Sequence, residues 1–384
     1  MLIPISNAPR EYAWGSTTLI PELEGREPAG ATEAEIWYGD HPGSPSRTAE
    51  GVTLDVLLEG RGEPALPFLL KVLAAGQSLS IQAHPSRAQA AEGFAREEEA
   101  GIARDAPERT YRDANHKPEI IVALSDRFRA LVGLRPLAGT RRLLDALGDG
   151  PGPEALRRRL QGEDEPLALR DTLAWALSGA AGDAVADIVR ALRAATSEEF
   201  AEELDVLRRI CDDFPGDGGI VVALLMNLVV LRPGQALFAP AGVLHAYQDG
   251  LGVELMAASD NVLRGGLTPK HVDVDELLRV LDTRPAEAPV LEPELVDGLA
   301  RYDVGVSDFA LTRVTVSGGA ERRVDVAGPA IALVTRGTVR VASAGGGSAP
   351  VEVTPGGAVF ASADETALAV SGDGDLYVAE PGAE

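Results

Sequence analysis

A run of amphipathic segments from about residue 138 to residue 226 constrains the fold most strongly, because it interrupts a chain that otherwise has the pattern of β structure. Its five segments carry apolar residues three and four positions apart, the spacing of a helix with one buried face. They read LAGTRRLLDALGD, PEALRRRLQ, PLALRDTLAWALS, DAVADIVRALRAA and SEEFAEELDVLRRICDDF. Because Gly, Pro, Asp and Ser separate them, we expect an α-helical insert in a mainly β protein.

The segments on both sides of this run have the short apolar stretches of buried strands. Before it, helices are expected at 52–59 and 86–100, and strands at 66–74, 79–83, 119–124 and 128–134. Strands resume near residue 228, and a short helix at 274–281 precedes a Pro-rich linker at 284–295. The tail is β throughout, with strands expected at 309–316, 321–326, 331–335, 338–342, 359–362 and 367–370. Short strands at this spacing predict a sandwich or jelly roll.

A short internal repeat links the two β regions. Residues 231–241 read LRPGQALFAPA and residues 353–363 read VTPGGAVFASA, with Pro, Gly, Phe and three Ala in register. Two units with one plan predict two jelly-roll barrels. At this offset His245 corresponds to Ala367, so only the first barrel is expected to hold a metal site.

These patterns predict three domains. A discontinuous jelly roll of residues 1–137 and 227–283 would carry the functional site. Residues 138–226 would form the helical insert, and residues 284–384 a C-terminal jelly-roll-like β domain without a metal site.

Charge and cysteine content exclude several classes of protein. A net charge of −24 opposes binding to a nucleic acid backbone, but a small phosphorylated ligand needs only a few local cations. The single cysteine, Cys211, excludes an internal disulfide and is typical of a reducing cytosol. No signal peptide or membrane contact is expected, because the N-terminus lacks a basic region before an apolar stretch and the apolar run 220–231 is too short to cross a bilayer.

Lysine is rare in this chain, and its positions are therefore informative. Only Lys71, Lys117 and Lys270 are lysines among 35 basic residues. Since arginine has replaced nearly every other lysine, the three that remain are enriched for places that require a compact, titratable ammonium group. All three lie in segments that contain or adjoin the histidines.

Four polar residues on predicted strands form a candidate metal site. Alternate residues of a strand face the same way, so Gln82 and His84 share one face, and Lys117 and Glu119 share another. Polar groups on an inward face cost free energy unless something satisfies them. His245 follows a PAG turn into a further strand. Two imidazoles, a carboxylate and an amide oxygen suit zinc with one position open. A simple ion pair is the alternative for Lys117 and Glu119.

Seven motifs together resemble those of the class I mannose-6-phosphate isomerases. They are YAWG, AEIWYGDHPGSPS, LPFLLKVL, LSIQAHP, NHKPE, APAGVLHAY and SDNVLRGGLTPKH, in chain order up to about residue 272 and interrupted by the helical insert. The C-terminal segment resembles the family only in being β-rich. The resemblance implies cupin barrels and a cytoplasmic enzyme of carbohydrate metabolism and GDP-mannose biosynthesis. It would interconvert D-mannose 6-phosphate and D-fructose 6-phosphate with one zinc ion per chain. A sugar phosphate would be its partner, and a monomer is expected.

The resemblance also implies roles for individual side chains. The zinc ligands would be Gln82, His84, Glu119 and His245, and Arg264 falls on the active-site arginine of the family. The positions of the substrate pocket fall on Lys71, Lys117, Tyr247, Glu254 and Asp260.

The reaction moves a proton between the first two sugar carbons through an enediolate, so it needs a base and stabilisation of negative oxygens. Arg264 offers a permanent cation for the oxygens. The base stays open among a water held by the zinc, Glu254, Asp260, Lys117 and His271.

Simpler interpretations exist for several of these residues. Lys71 is also compatible with an amphipathic strand edge, Tyr247 with packing alone, and Glu254 with an ion pair to Arg264. Lys270 and His271 are typical of the lead-in to the next helix.

Two other functions remain compatible with the sequence. The first is another metal-dependent cupin enzyme such as an oxygenase, which usually has a histidine-richer iron site. The second is a non-catalytic cupin that binds a sugar phosphate, although such a protein would not need the complete set of predicted site residues.

Overall fold

The computed structural model describes residues 1–383, which form two antiparallel sheets and ten helices. The strands are β1 Leu2–Ser6, β2 Glu35–Tyr38, β3 Arg47–Thr48, β4 Phe68–Ala75, β5 Gln82–Ala83, β6 Glu119–Ala123, β7 Phe128–Leu134, β8 Met226–Leu231, β9 Ala236–Ala239, β10 His245–Ala257, β11 Leu263–Arg264, β12 Val290–Leu291, β13 Leu299–Tyr302, β14 Ala310–Val316, β15 Arg322–Asp325, β16 Ala330–Ser343, β17 Val351–Val353, β18 Ala358–Ala361 and β19 Ala367–Glu380. The helices are α1 Leu19–Glu24, α2 Leu54–Arg61, α3 Arg87–Glu99, α4 Leu137–Ala146, α5 Pro151–Arg159, α6 Glu165–Leu177, α7 Gly182–Ala194, α8 Ala201–Asp213, α9 Gly219–Leu225 and α10 Val274–Val280. The predicted mainly β fold with a helical insert is confirmed.

The first sheet has ten strands and is built around β10. The first part of β10 pairs with β5 and β7, and its second part pairs with β4 and β6. A bulge after Tyr247 and a φ of 121° at Gly250 mark the change of partners. Glu119 lies opposite Met256, yet its carboxylate contacts His245 at the other end of β10. The strand therefore curves around an interior, as in a barrel.

The second sheet has nine strands and includes β13 to β19. Its edge, however, is completed by β1 and β3 from the beginning of the chain, since β1 pairs with β18 and β3. The C-terminal sheet therefore takes in N-terminal residues. The division of the chain into three domains stays a prediction.

The internal repeat corresponds to equivalent structure. In both copies a Pro-Gly turn joins two strands, β8 to β9 in the first and β17 to β18 in the second. Gly234 and Gly356 have φ values of 87° and 82°, a backbone conformation that favours glycine. His245 and Ala367 are the first residues of the long strands β10 and β19. The two β regions thus share one local plan.

The helices α4 to α9 pack around an apolar core that continues onto β7 and β8. Leu143, Leu173, Ile188 and Leu207 are fully or almost fully buried in it, together with Leu131 of β7. No helix within residues 1–383 combines the length and the apolar composition needed to cross a lipid bilayer.

Several predicted boundaries were wrong for identifiable reasons. Helix α9 was not predicted as an element, because the apolar run 220–231 is almost entirely buried and has no periodicity that distinguishes its helical half from its strand half. Of the predicted strand 79–83 only Gln82–Ala83 joins a sheet. The two predicted strands within 331–342 form one bulged strand, β16, and that at 367–370 continues to Glu380 in β19. The Pro-rich linker contains β12.

Candidate active site and metal centre

Three buried side chains from different strands converge inside the first sheet. One ligand atom from each of His84, Glu119 and His245 lies within 4.8 Å of the other two. Nε2 of His245 is 3.1 Å from Oε2 of Glu119, and Nε2 of His84 is 3.4 Å from Oε1. His84 directly follows β5, while Glu119 and His245 are the first residues of β6 and β10. Strand ends and barrel curvature together create this cluster.

Backbone carbonyls orient both imidazoles towards the carboxylate. Nδ1 of His84 donates to the carbonyl of Asn261 at 2.7 Å, and Nδ1 of His245 donates to that of Val243 at 3.1 Å. In a neutral imidazole this assignment leaves the Nε2 lone pair free, which is how metal-binding histidines are commonly held. Nε2 of His84 is buried without a hydrogen-bond partner in the described part of the chain. Burial lowers the pKa of His84 to about 4, so the ring is neutral near pH 7.

The electrostatics of the cluster fit a cation. Lys117 Nζ is 2.8 Å from Oε1 of Glu119. Burial opposes the ionised form of Glu119, but the Lys117 ammonium outweighs that effect and holds the pKa of Glu119 well below the usual range. The ion pair therefore exists alongside the cluster rather than instead of it. A carboxylate and two imidazole lone pairs that face one another are the donors that Zn²⁺ prefers.

Gln82 lies beside the cluster on β5. In the register of the sheet it is opposite His245 on β10 and also opposite Arg264 on β11. Its side chain is half-buried, and Nε2 donates to Oγ of Ser80 at 3.3 Å. This contact leaves the amide oxygen available as a further ligand.

Arg264 lies two strands away from β10, at a spacing of about 10 Å. The half-buried side chain lines a pocket together with Thr110, His271 and Asp273. Burial and the neighbouring Arg112 lower its pKa, although a guanidinium stays charged at any physiological pH. Within the described residues Arg264 makes no ion pair, so the predicted alternative of a pair with Glu254 was wrong.

Lys71 is buried in the interior of the sheet, so the predicted strand-edge alternative was wrong. It lies opposite Glu254 of β10 and Trp37 of β2. Its Nζ is 3.0 Å from Glu254, 3.5 Å from Glu35 and 5.1 Å from the centre of the Trp37 ring. Burial disfavours the ammonium, but the carboxylates of Glu254 and Glu35 outweigh it and raise its pKa. Lys71 is therefore a permanent cation beside the cluster.

Glu254 and Tyr247 are both buried on β10. Burial raises the pKa of Glu254 even though Lys71 opposes the shift. Burial and the nearby charge of Glu254 raise the pKa of Tyr247 well above 10, so it stays a phenol. The Tyr247 ring packs edge-on against Phe128, with centroids 5.4 Å apart, and lies 6.2 Å from the ring of His245.

The remaining predicted residues lie at the surface of the site. The side chain of Asp260 is 45% exposed, and its Oδ1 is 3.2 Å from Nε2 of His41. The hydrogen bond from His41 lowers the pKa of Asp260, and this effect outweighs burial, which by itself would raise that pKa. Lys270 and His271 are exposed and precede α10, which Asp273 caps. Their position is therefore that of the predicted lead-in to a helix.

Sequence reasoning missed three residues of this site. Glu35 and Trp37 are two residues apart on β2 and therefore face the same way, and Trp37 lies opposite Lys71. This spacing could have indicated that Glu35 also approaches Lys71. Asn261 is fully buried, and its side chain fixes the 112–115 segment while its carbonyl orients His84. His41 contacts Asp260 from a loop that is distant in the chain. In the sequence, only the DHPG motif indicated a role for this loop.

Comparison with known proteins places this geometry in one family. Residues 2–137 match the catalytic domain of type I phosphomannose isomerase. The chain is 35% identical to the mannose-6-phosphate isomerase of Escherichia coli strain K12, over 96% of this chain and 97% of that protein. It is 30% identical to the mannose-6-phosphate isomerase of Rattus norvegicus, over 96% of this chain and 95% of that protein.

Solved structures share the fold over its whole length. A crystal structure of mannose 6-phosphate isomerase bound with zinc and yttrium is 32% identical, with a TM-score of 0.88 and complete coverage of both chains. A mutant phosphomannose isomerase from Salmonella typhimurium gives a TM-score of 0.89 at 31% identity, again with complete coverage. The predicted cupin architecture with a helical insert is thereby confirmed. The chain belongs to the type I phosphomannose isomerases, the mannose-6-phosphate isomerase family.

Proposed function

We propose that Gln82, His84, Glu119 and His245 hold one zinc ion per chain at the centre of an aldose–ketose isomerase site. The chain interconverts D-mannose 6-phosphate and D-fructose 6-phosphate. The observation that supports the ligand set is the buried, unpartnered Nε2 of His84, which faces the Glu119 carboxylate together with Nε2 of His245. Such an arrangement is costly unless a cation occupies the space.

Zinc, when bound, supplies a Lewis acid for the sugar oxygens. The protein has to supply the proton transfer and the stabilisation of the enediolate. We assign the proton transfer to Glu254, because its carboxylate is buried beside Lys71 on β10 and burial raises its pKa, the direction that favours a general base. Lys71, 3.0 Å away, keeps its proton and stabilises the ionised carboxylate. Arg264 stabilises the negative oxygens.

Phosphate binding requires cationic side chains that are not already paired with a carboxylate. Lys71 and Lys117 each lie within 3.0 Å of a carboxylate. Burial and the charges of Arg264 and Arg112, in contrast, lower the pKa of Lys270. Among the described residues these three cations have no carboxylate partner, and their mutual repulsion favours an anion between them. We therefore assign the phosphate to Lys270 and Arg112, and Arg264 remains the cation for the enediolate oxygens.

Removal of the metal tests the isomerase assignment. Exhaustive chelation should abolish the formation of fructose 6-phosphate from mannose 6-phosphate, and added zinc should restore it, because the donor set then regains its cation. A coupled assay with metal analysis of the same samples measures both. Chelator saturated with zinc beforehand is the control. Full turnover by protein shown to be metal-free would refute the assignment, and stoichiometric iron with oxygen uptake would favour an oxygenase.

Lys270→Ala tests the phosphate assignment. We expect KM for mannose 6-phosphate to rise about ten-fold, with little change in kcat, because one exposed cation contributes mainly to ground-state binding. Inhibition by inorganic phosphate should weaken in parallel. Lys270→Arg retains the charge and is the matched control. An unchanged KM in Lys270→Ala would place the phosphate elsewhere.

We also propose a cytoplasmic location, supported by the single, buried Cys211. The monomeric state, the supply of GDP-mannose biosynthesis and the absence of nucleic acid or membrane partners stay predictions.

A further inference from the structure

His41 is held in one orientation by groups on two sides of its ring. It lies in the loop between β2 and β3, where the backbone N–H of Gly43 donates to Nδ1 at 3.0 Å. A Cβ at position 43 would lie 3.1 Å from that nitrogen, so glycine permits the close approach. The ring also contacts the Trp37 indole edge-on, with centroids 4.9 Å apart. Because Nδ1 accepts a hydrogen bond, the proton of the neutral imidazole lies on Nε2.

The Nε2–H of His41 donates to Oδ1 of Asp260 at 3.2 Å. The backbone of Asp260 is held independently, since its N–H donates to Oδ2 of Asp113 at 2.8 Å. The next residue, Asn261, accepts the Nδ1–H of the proposed zinc ligand His84. Oδ2 of Asp260 has no hydrogen-bond partner in residues 1–383, and the carboxylate is partly exposed. One carboxylate oxygen is thus held by His41, and the other has no partner, in a residue next to the one that orients His84.

We propose that His41 is a positioning residue that holds Asp260 so that its free oxygen accepts a hydrogen bond from a hydroxyl group of the sugar phosphate. This inference rests on the proposed function. A partly exposed ion pair between two mobile side chains contributes little. Here the ring is fixed by a backbone N–H and an indole, and the backbone of Asp260 is fixed by Asp113, so the pair is organised before substrate binds.

The donor at Nε2 can be removed without removing the ring. His41→Phe keeps the edge-on contact with Trp37 but lacks the N–H. We expect kcat/KM for mannose 6-phosphate to fall about ten-fold, the effect of one hydrogen bond to a charged group. Zinc content and the thermal midpoint should stay unchanged. His41→Gln, which retains an N–H donor, should recover part of the loss. Gly43→Ala, which displaces the ring through the added Cβ, should lose activity in the same direction.

A double-mutant cycle with Asp260→Asn separates positioning from other roles. If His41 acts through Asp260, then His41→Phe combined with Asp260→Asn should be no slower than Asp260→Asn alone. If His41→Phe fails to fold, the double-mutant cycle is carried out with Gly43→Ala in its place. Additive losses, loss of zinc in His41→Phe, or no loss in either Asp260→Asn or His41→Phe would overturn the inference. A wild-type protein without isomerase activity would instead refute the proposed function, so the two failures are distinguishable.

Discussion

Replacing His245 by alanine should abolish zinc binding and isomerase activity together. His245 is buried, and its Nε2 is 3.1 Å from Glu119. Its removal takes one of three convergent donors away and leaves the carboxylate with a single imidazole. Loss of an outer partner of a metal ligand alone costs about 10- to 100-fold in affinity, so we expect loss of the ligand itself to exceed that range. Turnover should fall with the metal, because the same ion polarises the sugar oxygens.

Metal analysis of the purified variant, alongside the coupled assay, measures this result. His271→Ala is the matched control, because His271 is an exposed histidine outside the cluster and should leave zinc content unchanged. Stoichiometric, tightly bound zinc in His245→Ala would show that the ion lies elsewhere. A folded variant, verified by its thermal midpoint, is required for either conclusion.

Replacing Arg264 by alanine should leave zinc bound but reduce kcat about 100- to 1000-fold. This is the typical effect of removing one preorganised donor to a developing negative oxygen. Arg264 belongs to β11, opposite Gln82, and makes no ion pair in the described part of the chain, so its charge is available to substrate. Because the enediolate carries more charge than the bound sugar, the loss should fall mainly on kcat.

Separate values of kcat and KM, together with zinc content, test this expectation. Arg264→Lys retains the charge without the planar donor pair and should recover only part of the activity. Arg284→Ala, at an exposed arginine paired with Asp282, controls for general loss of positive charge. A rise in KM with unchanged kcat would identify Arg264 as a binding residue rather than a catalytic residue.

The C-terminal β region shows how a repeated plan diverges. It repeats the Pro-Gly turn and the long following strand of the first sheet, but Ala367 stands where His245 lies. The cluster of His84, Glu119 and His245 is the one such group found in residues 1–383, and it belongs to the first sheet. At this position the C-terminal sheet therefore lacks the imidazole that β10 contributes to the cluster in the first sheet.

Local patterns in the sequence predicted the elements that depend on local physics. Helical spacing located most of the insert and the helix expected at 86–100, which is α3 and begins with a capping box at Ser86. Strand alternation placed Lys117 on the same face as Glu119, and their charged atoms are 2.8 Å apart. The repeat aligned the two Pro-Gly turns. The strand patterns also proposed the four candidate ligands, and the family motifs supported them and added Arg264, which no spacing alone could identify.

Only the tertiary structure decided which of these residues meet. Lys71 pairs with Glu254 and not with a surface partner, because the register of β4 against β10 places them opposite each other. Glu119 contacts His245 because β10 curves, and His41 contacts Asp260 because two loops distant in the chain approach. Periodicity along a chain specifies which face a side chain takes, whereas register, curvature and loop approach depend on packing between distant segments.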